Sequence, residues 1–305
     1  MGTNSFTLPR DGIVYTETVF SRSRDFICYD VWSGVERHRL DQWIANFKTE
    51  EDRYFAAKVL DALIYRSDRQ TIALMKHMFQ VSLPDYSRRM KLPVSLKHVF
   101  TSMKSSVTDP RIRVAPVLPA NSAPTKSGPT YTRDLKRHLR FSEKWIALGS
   151  DAIQYLDQID ALIFIDDFLG TGQQFGEFLQ TSRLSQELSR GNVIYAPLTG
   201  HYQAIERLRS EFPGLHVVPV EVLDEKHSFF SEQAGHFDDG INSSESALKH
   251  YHDLLTDRGI NVRGSSRQGY GGLEFVYAFE NAVPDNSLPI LWWHQSDNWK
   301  PLFDR

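Results

Sequence analysis

A chain of 305 residues, 41% hydrophobic and 12% aromatic, holds enough apolar material for one large core, or a core with a smaller neighbour, without disulfide staples. A formal charge of −3, from 35 basic and 38 acidic side chains, leaves no global field for nucleic acid or anionic lipid, so contact with either would need a local patch. The single Cys28 excludes an intramolecular disulfide and a cysteine-rich zinc site; with no apolar run of membrane length and no signal-peptide pattern, a cytoplasmic protein without membrane contact is expected.

Along the chain, residues 12 to 32 alternate β-branched and aromatic residues with polar ones, from Ile13 and Val14 through Phe26, Ile27 and Tyr29, which predicts a short hairpin or edge strands. From Leu40 to Gln80 the period changes. Trp43, Ile44 and Phe47, then Phe55, Val59 and Leu63, then Ile72, Met75, Met78 and Phe79 recur at helical spacing. Thr49-x-x-Asp52 and Ser67-x-x-Gln70 stand where capping boxes would open the second and third helices, because each side chain can satisfy orphan backbone donors. Residues 1–92 therefore read as a hairpin and helical region, and 93–305 as a second domain.

Pro84, Pro93 and Pro110 interrupt the next apolar groups. An apolar segment near Val114 to Leu118 follows, then a loop of Pro, Ser and small residues, then a polar helix start. Around it Lys126, Arg133, Lys136, Arg137, Arg140 and Lys144 are answered only by Asp134 and Glu143, either a local basic patch or a solvated helix face. After residue 160 the pattern becomes regular: strand 161–165, helix near 173–189 stopped by Gly191, strand 193–198, helix near 201–211 closed by Pro213-Gly214, and strand 215–222. Such alternation predicts an α/β fold, a parallel sheet flanked by helices with right-handed crossovers. Residues 224–268 read as an insertion with a helix near 244–256, and LEFVYAFE, 273–280, as a further strand.

The chemistry concentrates in ALIFIDDFLGTGQQFGEFL, residues 161–179. In open parallel sheets ligands bind beyond the carboxyl ends of the strands, which puts Asp166 and Asp167 on the functional edge. The turn that follows gathers backbone N–H groups at a helix N-terminus, an attractive place for a phosphate. Gly170 and Gly172 permit conformations closed to other residues and a close approach of ligand to backbone. Two carboxylates nearby would repel that phosphate unless the ligand also carries hydroxyls or a divalent cation within their reach, and a sugar phosphate meets both conditions.

Other readings fit less well. In a dinucleotide-binding turn the glycines follow the strand directly and the acid comes ~20 residues later. A P-loop partner for an acidic strand is wanting, since Ala120 and Thr125 stand where its glycines belong. Thr171-x-x-Gln174 could also simply cap a helix behind a solvated strand end.

Four apolar residues, two acids, two apolar residues and Gly-Thr-Gly, over 162–174, resemble the phosphoribosyl-diphosphate (PRPP) motif of type I phosphoribosyltransferases. By that resemblance Asp166 and Asp167 hold the ribose hydroxyls, while Gly170, Thr171, Gly172, Gln173 and Gln174 bind the 5′-phosphate; the family commonly ends the loop with Gly-Thr, where this chain has Gln173-Gln174. Lys126, Ser127 and Gly128, in the loop after the preceding apolar segment, take the place of its pyrophosphate loop, with Lys126 supplying charge and the other two backbone donors. A mobile surface connection accounts for the same three residues. Arg111, Arg113 and Arg133 are reserves.

A narrower resemblance spans most of the chain. WIANF, VLDALIYRSD, TKSG, FIDDFLGTGQQ and the tail YGGLEFVYAFENAVPDNSLPILWW together resemble the PRTase-CE family of bacterial conflict systems, some of them retron-type antiviral loci. The resemblance implies a PRPP or related ribose-phosphate ligand, Mg²⁺ bound mainly through the pyrophosphate, glycosidic-bond chemistry on a nucleotide or nucleic-acid target, and a defence-system partner such as a reverse transcriptase–RNA complex. A non-catalytic module that senses nucleotide or PRPP is the other reading it leaves open. Trp292, Trp293 and Trp299 could stack on a base or pack a core, and His201 could act as acid or base or merely start a helix.

Overall fold

The computed structural model describes residues 5–92, 94–106, 111–117, 127–147, 156–182, 184–238, 240–296 and 298–304, with backbone alone at 127–130. In chain order come α1 (Gly12–Cys28), α2 (Arg37–Ile44), α3 (Glu50–Ala62), β1 (Ile64–Arg66) and α4 (Asp68–His77). A π-helical turn, Met78–Ser82, leads into α5 (Leu83–Met90) and then α6 (Val99–Ser102). The alternating stretch follows: β2 (Ile112–Pro116), α7 (Ser127–Arg137), β3 (Ala161–Leu169), α8 (Gln173–Thr181), β4 (Val193–His201), α9 (Tyr202–Glu211), β5 (His216–Val217) and β6 (Glu221–Leu223). Last are α10 (Ser244–Asp257) and β7 (Tyr277–Phe279).

The expected hairpin at 12–32 is a helix, α1. Gly12, Thr16, Val19, Phe20 and Ser23 are its buried residues, a helical stripe disguised by two hydroxyls. Thr16 Oγ1 donates to the Gly12 carbonyl at 2.7 Å and Ser23 Oγ to that of Val19 at 2.8 Å, so both polar side chains are satisfied inside the helix itself. Ile13 and Val14, which suggested a strand, face solvent. The capping box at Thr49 forms as expected: Asp52 N–H donates to Thr49 Oγ1 at 3.0 Å while Asp52 Oδ2 accepts from Thr49 N–H at 3.4 Å.

The chain divides into two compact units, residues 1–69 with 224–305, and residues 70–223. The first division thus falls within the opening turn of α4, between residues 69 and 70, and residues 224–305 share a unit with the N-terminal helices. In the first unit β1 and β7 pair in parallel, Tyr65 opposite Ala278. Trp43, Phe55, Tyr251, Leu291 and Trp299 are among the side chains of its core.

In the second unit a parallel sheet runs β2-β3-β4-β5, with β6 also pairing β4. Alternation sorts its side chains onto two faces. Val114, Ile163, Ile165 and Ile194 join a core with Met75, Phe79, Leu83 and Leu135, so α4, α5 and α7 supply one cover. Ala115, Phe164 and Tyr195 join Phe175, Leu179, Ile205 and Leu208 of α8 and α9. The two short strands β5 and β6 replace the single strand expected at 215–222; Pro219, which has no N–H, lies in the break between them. The helix expected to reach residue 189 ends at Thr181, and two 3₁₀ turns, the second closed by left-handed Gly191, complete the connection. Among the described residues no helix is long and apolar enough to cross a membrane.

Candidate functional site

Strand β3 is longer than its apolar run. Pairing with β4 continues past the acids, Asp166 opposite Pro197, Phe168 opposite Thr199 and Leu169 opposite Gly200, so Asp166 and Asp167 stand inside a paired strand. On the other side β2 gives out: its last partner pair is Pro116 with Ile165. Among the described residues the acids therefore begin where the pairing of β3 with β2 ends, at the carboxyl edge of the sheet, which is the place parallel topology reserves for ligands.

Asp166 is buried. Its Oδ2 accepts from the Tyr195 hydroxyl at 2.9 Å and its Oδ1 from the Asp167 backbone N–H at 3.1 Å. Burial, reinforced by the neighbouring Asp167 carboxylate, pushes Asp166 well above the ordinary carboxylate range, and the bond from Tyr195 acts against that rise. Asp167 is half-buried, and its Oδ1 accepts from the Phe168 N–H at 2.8 Å.

The turn is built on Gly172, the N-cap of α8, whose φ of +79° is left-handed. A Cβ there would stand 3.2 Å from Leu208 Cγ and 3.6 Å from Ala204 Cβ, so helix α9 packs against the turn where a side chain would go. No side chain caps α8, so the alternative Thr171–Gln174 cap does not form, and Thr171 Oγ1 accepts from the Gln173 N–H at 3.4 Å. Gly176 N–H makes the bond back to Gly172 O, at 3.0 Å, and the N–H groups ahead of it have no acceptor within the helix. Gln173 and Gln174 are exposed, and Gln173 Nε2 donates to Glu177 Oε1 at 2.8 Å.

Of the remaining expected residues, Lys126 lies outside the described residues. Ser127 and Gly128 open helix α7 rather than lying in a loop; first-turn amides keep their donor capacity, so the correction changes their conformation more than their chemistry. Arg111 forks onto Asp160, at 2.9 and 2.6 Å, and is already engaged. His201 is buried, ends β4 and stands at the N-cap of α9 without capping it through its side chain. Trp292 and Trp299 are core residues of the first unit, Trp299 edge-on to Phe47, which is the packing alternative. Among the described residues no group of three His, Cys, Asp or Glu could cage a metal. A cavity of about 830 Å³ lies along the β5 side of the sheet, between Tyr86, Arg89, Tyr202 and Arg209, and includes neither acid.

Two contributors escape a reading of the sequence. Tyr195 sits in an apolar strand and looks like core, yet its hydroxyl reaches Asp166. Arg207 of α9 reaches the Thr171 carbonyl through Nη1 at 3.4 Å while Nε holds Glu211 at 2.7 Å, placing a cation at the turn. Only the polar atom of Tyr195, on the strand following the acids, offered a hint; Arg207 offered none.

The PRTase-CE family model matches residues 40–305. No curated protein matches the chain. With nearly its whole length covered, the chain belongs to the PRTase-CE family, and its parallel sheet with flanking helices agrees with that membership.

Proposed function

Starting from that membership, we propose that this phosphoribosyltransferase-like chain binds PRPP or a related ribose phosphate at the end of β3, and transfers or cleaves a glycosidic bond on a nucleotide or nucleic-acid target. The observation that carries the reading is the continuity of two acids, at the point where the described pairing of β3 with β2 ends, with a helix whose N-cap, Gly172, stands five residues after Asp167 and carries no side-chain cap. Hydroxyls and phosphate of one pentose then find an acceptor pair and a donor turn on the same piece of chain.

In the transfer, the bond from C1 to the pyrophosphate oxygen breaks and its electron pair leaves with pyrophosphate. A nitrogen or oxygen of the acceptor closes the new bond to C1 and gives up its proton to a base. The ribose passes through oxocarbenium character, so holding it still and offsetting charge on the leaving group are the tasks that matter. The carboxylate of Asp167 accepts from ribose hydroxyls, with Asp166 behind it; the amides of Thr171 to Gln174 hold the 5′-phosphate. Lys126 supplies charge toward the pyrophosphate, and Ser127 and Gly128 supply amide donors. Mg²⁺ brought in with the substrate would need few protein ligands and would offset negative charge on the departing pyrophosphate.

The test is PRPP-dependent pyrophosphate release across nucleobases, nucleotides and RNA, abolished by combining Asp166→Asn with Asp167→Asn. A second reading, a PRPP or nucleotide sensor without turnover, draws on Gln173: its side chain is tied to Glu177, which sets an acid one turn from the phosphate position. Tight binding without consumption in calorimetry selects that reading. Family association extends the proposal to a role as effector in antiphage defence, with a reverse transcriptase–RNA complex as partner; co-purification of such a complex from the native locus tests it.

A further inference from the structure

We infer that Tyr195 is a positioning residue that ties the acid pair to the phosphate turn, so that one side chain on β4 sets the geometry of both halves of the site. The inference rests on the ribose-phosphate reading above. Two contacts motivate it. The Tyr195 hydroxyl donates to Asp166 Oδ2 at 2.9 Å, and its ring lies flat on Phe175, centroids 3.7 Å apart and planes 8° from parallel. Phe175 is the third residue of α8, whose start is the turn itself. A hydroxyl at one edge and a stacked face on the other thus bridge strand and helix through a fully buried residue.

The side-chain groups acting on Asp166 are Asp167 and Tyr195. On β3 the titratable neighbour is Asp167; on β4 it is Tyr195; α8 presents Phe175. From the other side Asp166 borders a cavity of about 10 Å³ with Met75, Met78, Phe79 and Tyr131, a set with no charged side chain. Burial and the like charge of Asp167 favour the neutral form of Asp166, and the bonds from the Tyr195 hydroxyl and the Asp167 amide act against them. With Asp166 held in this way, the more exposed Asp167 is the acid that meets the hydroxyls.

Tyr195→Phe removes one oxygen and keeps the stack. Calorimetric affinity for PRPP with Mg²⁺, measured from pH 6 to 9, is expected to fall about tenfold at the acid end and to recover within about twofold at the alkaline end, since a hydrogen bond to a charged group is lost. In protein labelled at the aspartate carboxyl carbon, the Asp166 resonance, identified by its loss in Asp166→Asn, should titrate at higher pH in Tyr195→Phe than in the wild type. A loss of affinity equal at every pH, or an unmoved titration, means a merely structural tyrosine and overturns the inference alone. Wild-type protein that fails to bind PRPP overturns the functional reading and the inference with it. Asp166→Asn provides the second variant: its affinity should be independent of pH over the range in which the wild type changes.

Discussion

Replacing Gly172 by alanine probes the turn directly, and the size of the effect follows from two terms. The residue has φ of +79°, a region that costs an L-residue ~1–2 kcal/mol. The new Cβ would also stand 3.2 Å from Leu208 Cγ. Leu208 is fully buried in the α8–α9 core, so it has little room to yield, and displacement of packed atoms adds up to ~1 kcal/mol. The sum is about 2 kcal/mol of lost stability. Gly176, one turn along, is the control: it is interior to α8, and a Cβ there meets Phe212 Cε2 at 3.5 Å, an ordinary contact. Gly176→Ala should therefore stabilise by ~0.5–1 kcal/mol through helix propensity alone. Because the chain has two compact units, global denaturation would mix them. Hydrogen exchange of the β3 and β4 amides in urea isolates the unit concerned. Gly172→Ala should also weaken PRPP binding at least tenfold, since it displaces the donor amides. Shifts of the same sign for the two glycines, or a cost below about 0.5 kcal/mol at Gly172, would refute the reasoning.

In the first unit, Asp52 stands 3.3 Å from both His250 Nε2 and Arg258 Nη2. Burial would raise its pKa, but the bonds from His250 and from the Lys48 and Thr49 amides outweigh it and bring it from 3.8 to about 2. A carboxyl depressed in the folded state stabilises fully above its unfolded value, so on the order of 2 kcal/mol should be lost as pH falls from about 4 through about 2. Asp52→Asn should abolish that acid-sensitive component in urea titrations and lower stability at pH 7; an unchanged acid limb would contradict the assignment. Trp299→Ala should cost ~3–5 kcal/mol as a cavity in the core while leaving the PRPP affinity of the folded fraction within twofold. Trp299→Phe should cost far less, because the buried indole N–H has no acceptor among the described residues. Selective loss of ligand affinity in either variant would restore base stacking as its role.

The legible parts of the sequence were those in which one physical signal dominated. The buried run 161–165 and the glycines at 170 and 172 declared strand and turn because few other structures accept them, and the Thr49 box declared a helix start because its two bonds are local. Where side chains satisfied themselves out of sight, the pattern misled. Thr16 and Ser23 turn a helical stripe into apparent alternation by bonding their own backbone, and the polarity of Asp166 and Asp167 masks the continuation of β3 through residue 169. The partition into units was hidden for a different reason. Residues 224–305 return to the N-terminal helices through long-range contacts, such as the Thr7 N–H to Asn242 Oδ1 at 2.9 Å, that no local period encodes. Tyr195 belongs to the same class, since its role depends on which strand lies beside β3.

The most direct test of the central claim is a calorimetric titration of the full chain with PRPP and Mg²⁺, comparing wild type, Asp167→Asn and Gly172→Ala with ribose 5-phosphate and with unphosphorylated ribose as competitors. The account predicts saturable binding of PRPP, competition by ribose 5-phosphate but not by ribose, and at least a tenfold loss in each variant. Equal binding in all three proteins, or competition indifferent to the phosphate, would contradict a site in which the acids of β3 and the turn at Gly172 grip one phosphorylated pentose.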